Sequence, residues 1–217
     1  RLTDQHDIHL SLEQLAKSSE SATRLVNQLL SLARAENQTQ ANVSLSEINL
    51  SDLARSVVKD WVPTSFARKI DLGFEEDELP LTILGNPLML RELLNNLIDN
   101  ALHYTPEQGH VTVRVRATDK NNQRDMPRVI LEVEDTGFGI SPTEREHVFE
   151  RFYRVLDNDA KRSGSGLGLA IVREIAQQHN ADVAIFYNPK STDPILPGSL
   201  FRVAFPYATE IHPDFTV

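Results

Sequence analysis

The sequence contains no cysteine, which excludes disulfide bonds and thiolate metal sites. Aromatic residues make up only 6% of the chain, and there is a single tryptophan. No apolar run approaches the roughly 18 residues that a membrane span needs, and no signal-peptide pattern is present. Basic residues are also few: the chain has 22 Lys and Arg but 31 Asp and Glu, which gives a net charge of -9. This balance argues against nucleic acid as the main partner.

The length of 217 residues and the 40% hydrophobic content allow one ordinary domain with a proper core and one additional element. Apolar or small residues recur at alternating spacings of four and three between Ile8 and Ala33, which predicts a long helix over residues 6–36. The wide stripe favours packing in a helical bundle, although the helix would also fit against its own domain. A polar linker follows near residues 37–44, so we expect a boundary near residue 42.

The remaining residues alternate between strand and helix patterns, which predicts a compact α/β domain over residues 43–217. Asn86 and Pro87 form a good helix start, whereas Pro63 is expected to bend or interrupt an earlier helix. Ser141 to Glu144 has the pattern of a capping box. The predicted strands cover residues 46–50, 70–74, 81–84, 110–117, 128–135, 182–187 and 199–205, and further helices cover residues 51–69 and 167–179.

The segment from Leu90 to Pro106 combines an amphipathic helix with two asparagines, Asn96 and Asn100. Their spacing of four residues places both amides on one helical face. An amide oxygen is a neutral ligand for a hard cation, and the amide NH2 donates to phosphate oxygens. Taken alone, the pair is more typical of a solvated surface or of helix caps.

Asp135 ends a predicted strand and is followed by a glycine-rich turn that contains Gly137, Gly139 and Ile140. A carboxylate there lies at the floor of a pocket and accepts a hydrogen bond from an exocyclic amine. The two glycines allow a tight turn and close approach of the backbone to a ligand. An ordinary Asp-Thr-Gly turn is the alternative.

A second glycine-rich segment leads into the last predicted helix. Its amides and the positive end of the helix dipole are suited to triphosphate oxygens. It lacks the spacing of a Walker loop, and no strand precedes it as in a dinucleotide fold. The segment comprises Gly164, Ser165, Gly166, Leu167, Gly168 and Leu169.

Residues 154–163, ahead of this segment, have the pattern of a mobile lid with three basic residues, Arg154, Lys161 and Arg162, that suit phosphate. A solvated charge run is the more common interpretation. Upstream, Phe149 and Phe152 are predicted mainly as core residues. Arg151 between them is a candidate for contact with a γ-phosphate or with the phosphate acceptor.

The four segments, in this order, resemble the N, G1, F and G2 boxes of two-component sensor histidine kinases, from about residue 24 to residue 206. The resemblance implies a two-layer α/β sandwich shared with topoisomerase and MutL-type ATPases, preceded by a helix from an incomplete dimerisation hairpin. It also implies ATP and Mg2+ as cofactors, with Asp135 reading the adenine amino group. Asn100 is the preferred metal ligand, and Asn96 lies near the phosphates and shares the metal. As catalytic residues we expect Asn96 and Arg151.

Two further positions follow from the resemblance. His103 and Tyr104 stand where the family commonly has a basic residue and an aromatic residue. Histidine is only partly charged near neutral pH, so its contact with phosphate differs from that of the frequent lysine. Tyr104 is expected either to pack against the adenine or to fill the core.

Residues 24–36 resemble the second helix of the dimerisation hairpin, so the phosphoacceptor histidine is expected before residue 1. His6 and His9 lack the neighbours of the phosphoacceptor box and are interpreted as surface residues. We therefore expect a fragment that binds ATP without phosphorylating itself. The resemblance implies a homodimeric full-length membrane sensor with this part in the cytoplasm, and a response regulator receiver domain as partner besides its own phosphoacceptor helix.

Two other functions remain open from the sequence. One is an ATPase or serine kinase of the same superfamily, although the topoisomerase-type module usually has a carboxylate where Asn96 stands. The other is a non-catalytic helical scaffold whose glycine loops are structural. Nucleotide binding by the chain separates the scaffold from both enzymes.

Overall fold

The computed structural model describes residues 45–77, 80–118, 127–155, 165–191 and 193–208. The helix and linker predicted before residue 45 lie outside the described residues, as do Lys161, Arg162 and Gly164. The domain boundary near residue 42 therefore stays a prediction. Within the described ranges, no helix is long and apolar enough to cross a membrane.

The described chain alternates between strands and helices in the predicted order. The elements are β1 (Ser46–Asn49), α1 (Leu50–Ala67), β2 (Asp71–Glu76), β3 (Thr82–Gly85), α2 (Pro87–Tyr104), β4 (His110–Ala117), β5 (Arg128–Asp135), a 3-10 turn (His147–Phe149), α3 (Gly168–Gln178), β6 (Asp182–Tyr187) and β7 (Ser199–Pro206). Strands β4, β5 and β6 have the predicted bounds, and the other strands differ from prediction by one or two residues.

The main sheet has five strands in the order β2-β4-β5-β7-β6. Strands β2 and β4 are parallel, and the other neighbours are antiparallel. Strands β1 and β3 form a separate antiparallel pair, with Ser46 opposite Gly85. Because β7 inserts between β5 and β6, the end of β5 lies beside the beginning of β7, where Glu134 pairs with Leu200.

The core lies between the helices and one face of the main sheet. Alternate residues along each strand point into it, as expected for a sheet with one face covered. The apolar side chains of the helices complete the same cluster. Members from the three central strands are Val111, Val113, Val115, Val129, Leu131, Val133, Phe201, Val203 and Phe205. This arrangement confirms the predicted two-layer α/β sandwich.

The opposite face of the sheet carries charges that pair across the strands. Glu132 is buried, with its carboxylate 2.9 Å from Arg116 Nη2, 2.7 Å from Arg202 Nε and 3.3 Å from Arg114 Nη1. Burial opposes ionisation of Glu132, but hydrogen bonds from Arg116 and Arg202 outweigh it and lower its pKa. These cross-strand pairs fix which face of each strand turns away from the core.

Two local features differ from the predictions. Helix α1 continues through Pro63, so an interruption there was wrong, whereas a bend stays a prediction. Proline leaves the Lys59 carbonyl without an amide partner, and Lys59 is exposed, so water can reach that carbonyl. Ser141 to Glu144 does not start an α-helix. These residues form a turn in which the Glu144 amide donates to the Ser141 carbonyl, and the Glu144 carboxylate accepts from the Tyr153 hydroxyl instead of closing a capping box.

Candidate active site

Helix α2 forms the centre of the candidate site. Asn86 Oδ1 accepts hydrogen bonds from the amides of Leu88 and Met89 at 3.0 and 3.2 Å, and Pro87 is the first helical residue. The predicted helix start is thereby confirmed. One face of α2 is buried in the core, so the helix is held firmly while other side chains remain available for a ligand.

Asn96 is buried, and its amide has one defined orientation. Its Nδ2 donates to the Glu92 carbonyl at 2.9 Å and to Glu92 Oε1 at 3.2 Å. Both partners are acceptors, so Asn96 Oδ1 points the other way. This oxygen faces the start of α3, where a Cβ added at Gly168 would stand 3.0 Å from it.

The other predicted residues of this helix lie toward its carboxyl end. Asn100 is half-buried, one turn beyond Asn96. The rings of His103 and Tyr104 meet edge to face, with centroids 5.0 Å apart. Tyr104 is 36% exposed, so of its two predicted roles the structure contradicts core filling.

Asp135 lies at the end of β5 with a buried carboxyl group. Its Oδ1 accepts hydrogen bonds from the amides of Gly137 at 2.8 Å and Ser199 at 3.1 Å. The Ser199 hydroxyl also donates to this carboxyl group. A carboxylate has about four lone-pair positions, so these three donors leave capacity for one more. Burial raises the pKa of Asp135 to about 6, against the opposing effect of the Gly137 and Ser199 hydrogen bonds.

The turn after Asp135 requires its two glycines for different reasons. Gly137 lies against α2, where an added Cβ would stand 2.6 Å from the Tyr104 carbonyl oxygen. Gly139 has φ of 71°, a conformation that L side chains rarely adopt. Ile140, next in the chain, is half-buried and packs against the core.

Three residues near β7 were missed by the sequence analysis. The Asn188 amide donates to the Asp135 carbonyl at 2.9 Å, and the Gly198 amide donates to the Gly137 carbonyl at 2.9 Å. Ser199 contributes its own amide to the Asp135 carboxyl group. The only sequence signal was a glycine immediately before a strand that begins with serine, which does not reveal a partner 64 residues away.

The described part of the second glycine segment forms the amino end of α3. Ser165 Oγ accepts from the Leu167 amide at 3.2 Å, and Leu167 is fully buried. Leu167 occupies the capping position and has no side-chain acceptor, so the first amides of α3 have no side-chain cap. Gly168 then begins the helix, and Leu169 packs against the core. The uncapped amides at the start of α3 suit an anion. The nearby Asn96 amide oxygen suits a cation bound to that anion.

The segment with Arg151 lies beside the same glycines. The Phe152 amide donates to the Gly166 carbonyl at 2.9 Å, so Arg151 adjoins a residue joined to the loop. Phe149 is buried as predicted, with the Arg173 guanidinium 4.5 Å from its ring centroid. Phe152 is 64% exposed with φ of 64°, so its predicted place in the core was wrong. The aromatic spacing did not reveal that Phe152 lies in a turn.

Together, these contacts join the predicted segments along one helix. The Asp135 turn contacts α2 at Tyr104, and the amino end of α3 contacts it at Asn96. At 1.5 Å of rise per residue these two points are about 12 Å apart along the helix. A buried carboxyl at one end and uncapped helical amides at the other suit a ligand with an amine at one end and phosphates at the other.

A family model described as histidine kinase-, DNA gyrase B- and HSP90-like ATPase matches residues 85–209, more than half of the chain. The sensor histidine kinase RppB of Synechocystis sp. is 31% identical over 201 residues, which cover 92% of this chain and 41% of RppB. Sensor protein QseC of Escherichia coli K12 is 36% identical over 173 residues, or 80% of this chain and 35% of QseC.

A similar solved structure is that of full-length ShkA in complex with AMPPNP. It superposes with a TM-score of 0.70 at 29% identity, over 88% of this chain and 37% of ShkA. The chain thus spans less than half the length of each of these relatives. The chain belongs to the histidine kinase-, DNA gyrase B- and HSP90-like ATPase family, and it contains an ATP-binding catalytic domain of the kind found in sensor histidine kinases.

Proposed function

We propose that this chain binds Mg2+-ATP between α2 and α3 and supplies the γ-phosphoryl group to a histidine, from which it passes to a response regulator aspartate. The observation that carries the proposal is the pair of close contacts on α2, with Gly168 at Asn96 and Gly137 at Tyr104. Support also comes from ShkA, whose structure holds the ATP analogue AMPPNP.

Asp135 is the proposed receptor for the adenine amino group. The Gly137 and Ser199 amides fix its Oδ1, so the carboxyl group has a defined direction before a ligand arrives. An ionised carboxylate is the stronger acceptor for an amine N–H. Gly139 and Ile140 continue the same wall of the site, and Tyr104 at the end of α2 presents an exposed ring for packing.

The phosphates are proposed to lie at the amino end of α3, against the amides that follow Leu167. Ser165, Gly166, Gly168 and Leu169 belong to this wall, and Gly164 extends the proposed segment beyond the described residues. His103 and Arg151 are further proposed phosphate contacts, and Arg151 and Asn96 are the proposed catalytic residues. Their contribution is to position the phosphates and stabilise charge, which supplies most of the catalysis in phosphoryl transfer.

Magnesium is the proposed metal, because amide oxygens and phosphate oxygens together suit a hard cation. Asn100 is the preferred ligand, and the direction of Asn96 Oδ1 toward the amino end of α3 fits a shared role. When bound, the ion neutralises charge on the phosphate oxygens. Among the described residues no group of three or more His, Asp or Glu side chains could hold a metal, so the proposed site relies on amides and on the nucleotide.

The acceptor and partners are proposed from the relatives. The chain spans 41% of RppB, so the phosphoacceptor histidine, the dimerisation hairpin and membrane segments are proposed for the longer protein. Residues 1–42 are proposed as part of that hairpin, and residues 43–217 as the catalytic domain. A receiver domain of a response regulator is the proposed partner of the complete dimer, with this part of the chain in the cytoplasm.

Replacing Asp135 by asparagine is expected to weaken binding of AMPPNP about 10- to 100-fold, the loss expected for one hydrogen bond to a charged group. Asparagine keeps an oxygen for the two amides but turns an NH2 toward the adenine amine. Isothermal titration calorimetry measures the change. The control is Asp182→Asn on β6, whose side chain is 81% exposed, and which should bind like the wild type. Equal affinities for Asp135→Asn and the wild type would contradict adenine recognition by Asp135.

The buried carboxyl also predicts a pH dependence of stability. A raised pKa means that the folded state holds its proton until about pH 6, whereas the unfolded chain releases it near 3.8. Asp135 therefore stabilises the fold most below pH 3.8, and this contribution is lost as pH rises through 6. Relative to Asp135→Asn, we expect the wild type to lose about 2 kcal/mol of unfolding free energy between about pH 4.5 and 7.

Urea denaturation of both proteins at the two pH values gives this difference, because other titrating groups contribute equally and cancel. A difference that does not change with pH would mean that the Asp135 carboxyl is already ionised near pH 4.5 in the folded chain.

Replacing Asn100 by alanine is expected to remove most of the increase in AMPPNP affinity that Mg2+ provides, with little effect when EDTA is present. The control is Asn95→Ala on the same helix, because Asn95 accepts a hydrogen bond from Trp61 Nε1 at 2.8 Å and so faces α1. Titrations with and without Mg2+ compare the three proteins. Equal losses for Asn100→Ala in both conditions would argue against metal ligation.

The chain alone is expected to bind ATP without acquiring phosphate, since the phosphoacceptor box is proposed to lie outside it. Incubation with γ-labelled ATP, followed by acid and alkali treatment, measures any phosphohistidine. The Asp135→Asn variant sets the background. Stoichiometric acid-labile phosphate on the wild-type chain would place an acceptor histidine within these residues and refute the expectation.

A further inference from the structure

His179 follows the last residue of α3 and is buried, and one of its two hydrogen-bond partners lies 93 positions earlier in the chain. Its Nδ1 is 2.7 Å from the Ile175 carbonyl oxygen in the last turn of α3. Its Nε2 is 3.0 Å from the Asn86 backbone nitrogen, the residue that caps α2. We call these two hydrogen bonds the His179 link.

The two partners define the state of the ring. A carbonyl only accepts, so Nδ1 carries the hydrogen, and a backbone amide only donates, so Nε2 is unprotonated. The imidazole is therefore neutral, and burial lowers its pKa in the same sense. The ring also lies close to Gly85, where an added Cβ would stand 3.0 Å from Cδ2, and it meets the Phe205 ring edge to face.

The link stands at one end of an antiparallel pair of helices. At its other end, Gly168 at the start of α3 lies against Asn96 of α2. Asn86 and Asn96 are separated by nearly the same number of residues as Gly168 and His179, about 15 Å on each helix. A displacement of α3 along its axis at the His179 end therefore also moves Gly168. The contact between Gly168 and Asn96 is so close that it leaves no room for a side chain.

We propose that His179 is a positioning residue for the nucleotide site, because its two hydrogen bonds set the position of α3 along α2 and so hold Gly168 against Asn96. The inference rests on the proposed function of that contact. His179 does not touch the nucleotide itself; it acts through the helix that carries the phosphate-binding amides.

Two substitutions separate the two hydrogen bonds. Gln has its amide oxygen the same number of bonds from Cα as histidine Nε2, so His179→Gln retains an acceptor for the Asn86 amide. Asn has its NH2 at the position of Nδ1, so His179→Asn retains only the donor to Ile175. Both variants are small polar replacements at one buried position, which makes each the control for the other.

The measurements are hydrogen exchange of the Asn86 amide by NMR and titration with AMPPNP in Mg2+. For His179→Asn we expect exchange of that amide to accelerate and nucleotide affinity to fall, each about tenfold, as for the loss of one buried hydrogen bond. For His179→Gln we expect both quantities to stay close to those of the wild type. A His179→Asn variant with rapid exchange and wild-type affinity overturns the proposal.

The wild-type chain provides a test that does not require either variant to fold. Coupling between two sites is reciprocal, so saturating AMPPNP should slow exchange of the Asn86 amide about tenfold. Binding without any change in that exchange overturns this inference and leaves the proposed function intact. Failure of the wild-type chain to bind AMPPNP overturns both.

Discussion

The close approach of two glycines to helix α2, Gly137 after β5 and Gly168 at the start of α3, is the constraint on which the rest of the structure depends. A methyl group on Gly137 would collide with the Tyr104 carbonyl oxygen at 2.6 Å, and one on Gly168 would stand only 3.0 Å from the Asn96 amide oxygen. Such contacts demand that α2 hold its place to a fraction of an ångström, and the helix achieves this through its buried apolar face. The packing of the core therefore determines the geometry of the site in this domain.

The charged residues on the outer face of the sheet favour one register of the strands. A strand that slips by one residue exchanges its two faces, which would put charge into the core. Here Glu132 on β5 forms ion pairs with arginines of β4 and β7. A shift of β4 or β7 by one residue would break the ion pairs between that strand and Glu132. Because a buried charge without its partner is costly, these pairs favour one register over its neighbours. That register also brings Ser199 to Asp135.

Much of the fold followed from local sequence. Strand alternation gave the bounds of β4, β5 and β6, and Asn86 with Pro87 marked the start of α2, because each signal depends only on nearby residues. The four segments of the site were identified by their resemblance, in this order, to the boxes of sensor histidine kinases, since each segment alone also fitted an ordinary structural role. An interruption at Pro63 was wrongly predicted because the cost of proline in a helix depends on whether water reaches the freed carbonyl, which local sequence does not determine.

The support around Asp135 was not predictable in this way. Asn188 and Ser199 donate hydrogen bonds to Asp135 although they lie 53 and 64 positions after it in the chain. No periodicity in the sequence encodes contacts at such separations. Phe152 was misjudged because aromatic spacing predicts burial, whereas its backbone turns in the left-handed region to reach Gly166. In each case the tertiary arrangement, and not the local pattern, decided the outcome.

The insertion of β7 between β5 and β6 has a consequence for synthesis of the chain on the ribosome. Asp135, Asn96 and Gly168 all emerge before Ser199, yet the carboxyl group of Asp135 receives one of its two amides from that residue. Until β7 leaves the exit tunnel, β5 has an open edge and β6 has no neighbour within the main sheet. A nascent chain therefore carries all the local motifs of the site while the hydrogen bonds around Asp135 are still incomplete, and its exposed strand edges are the surfaces that chaperones protect.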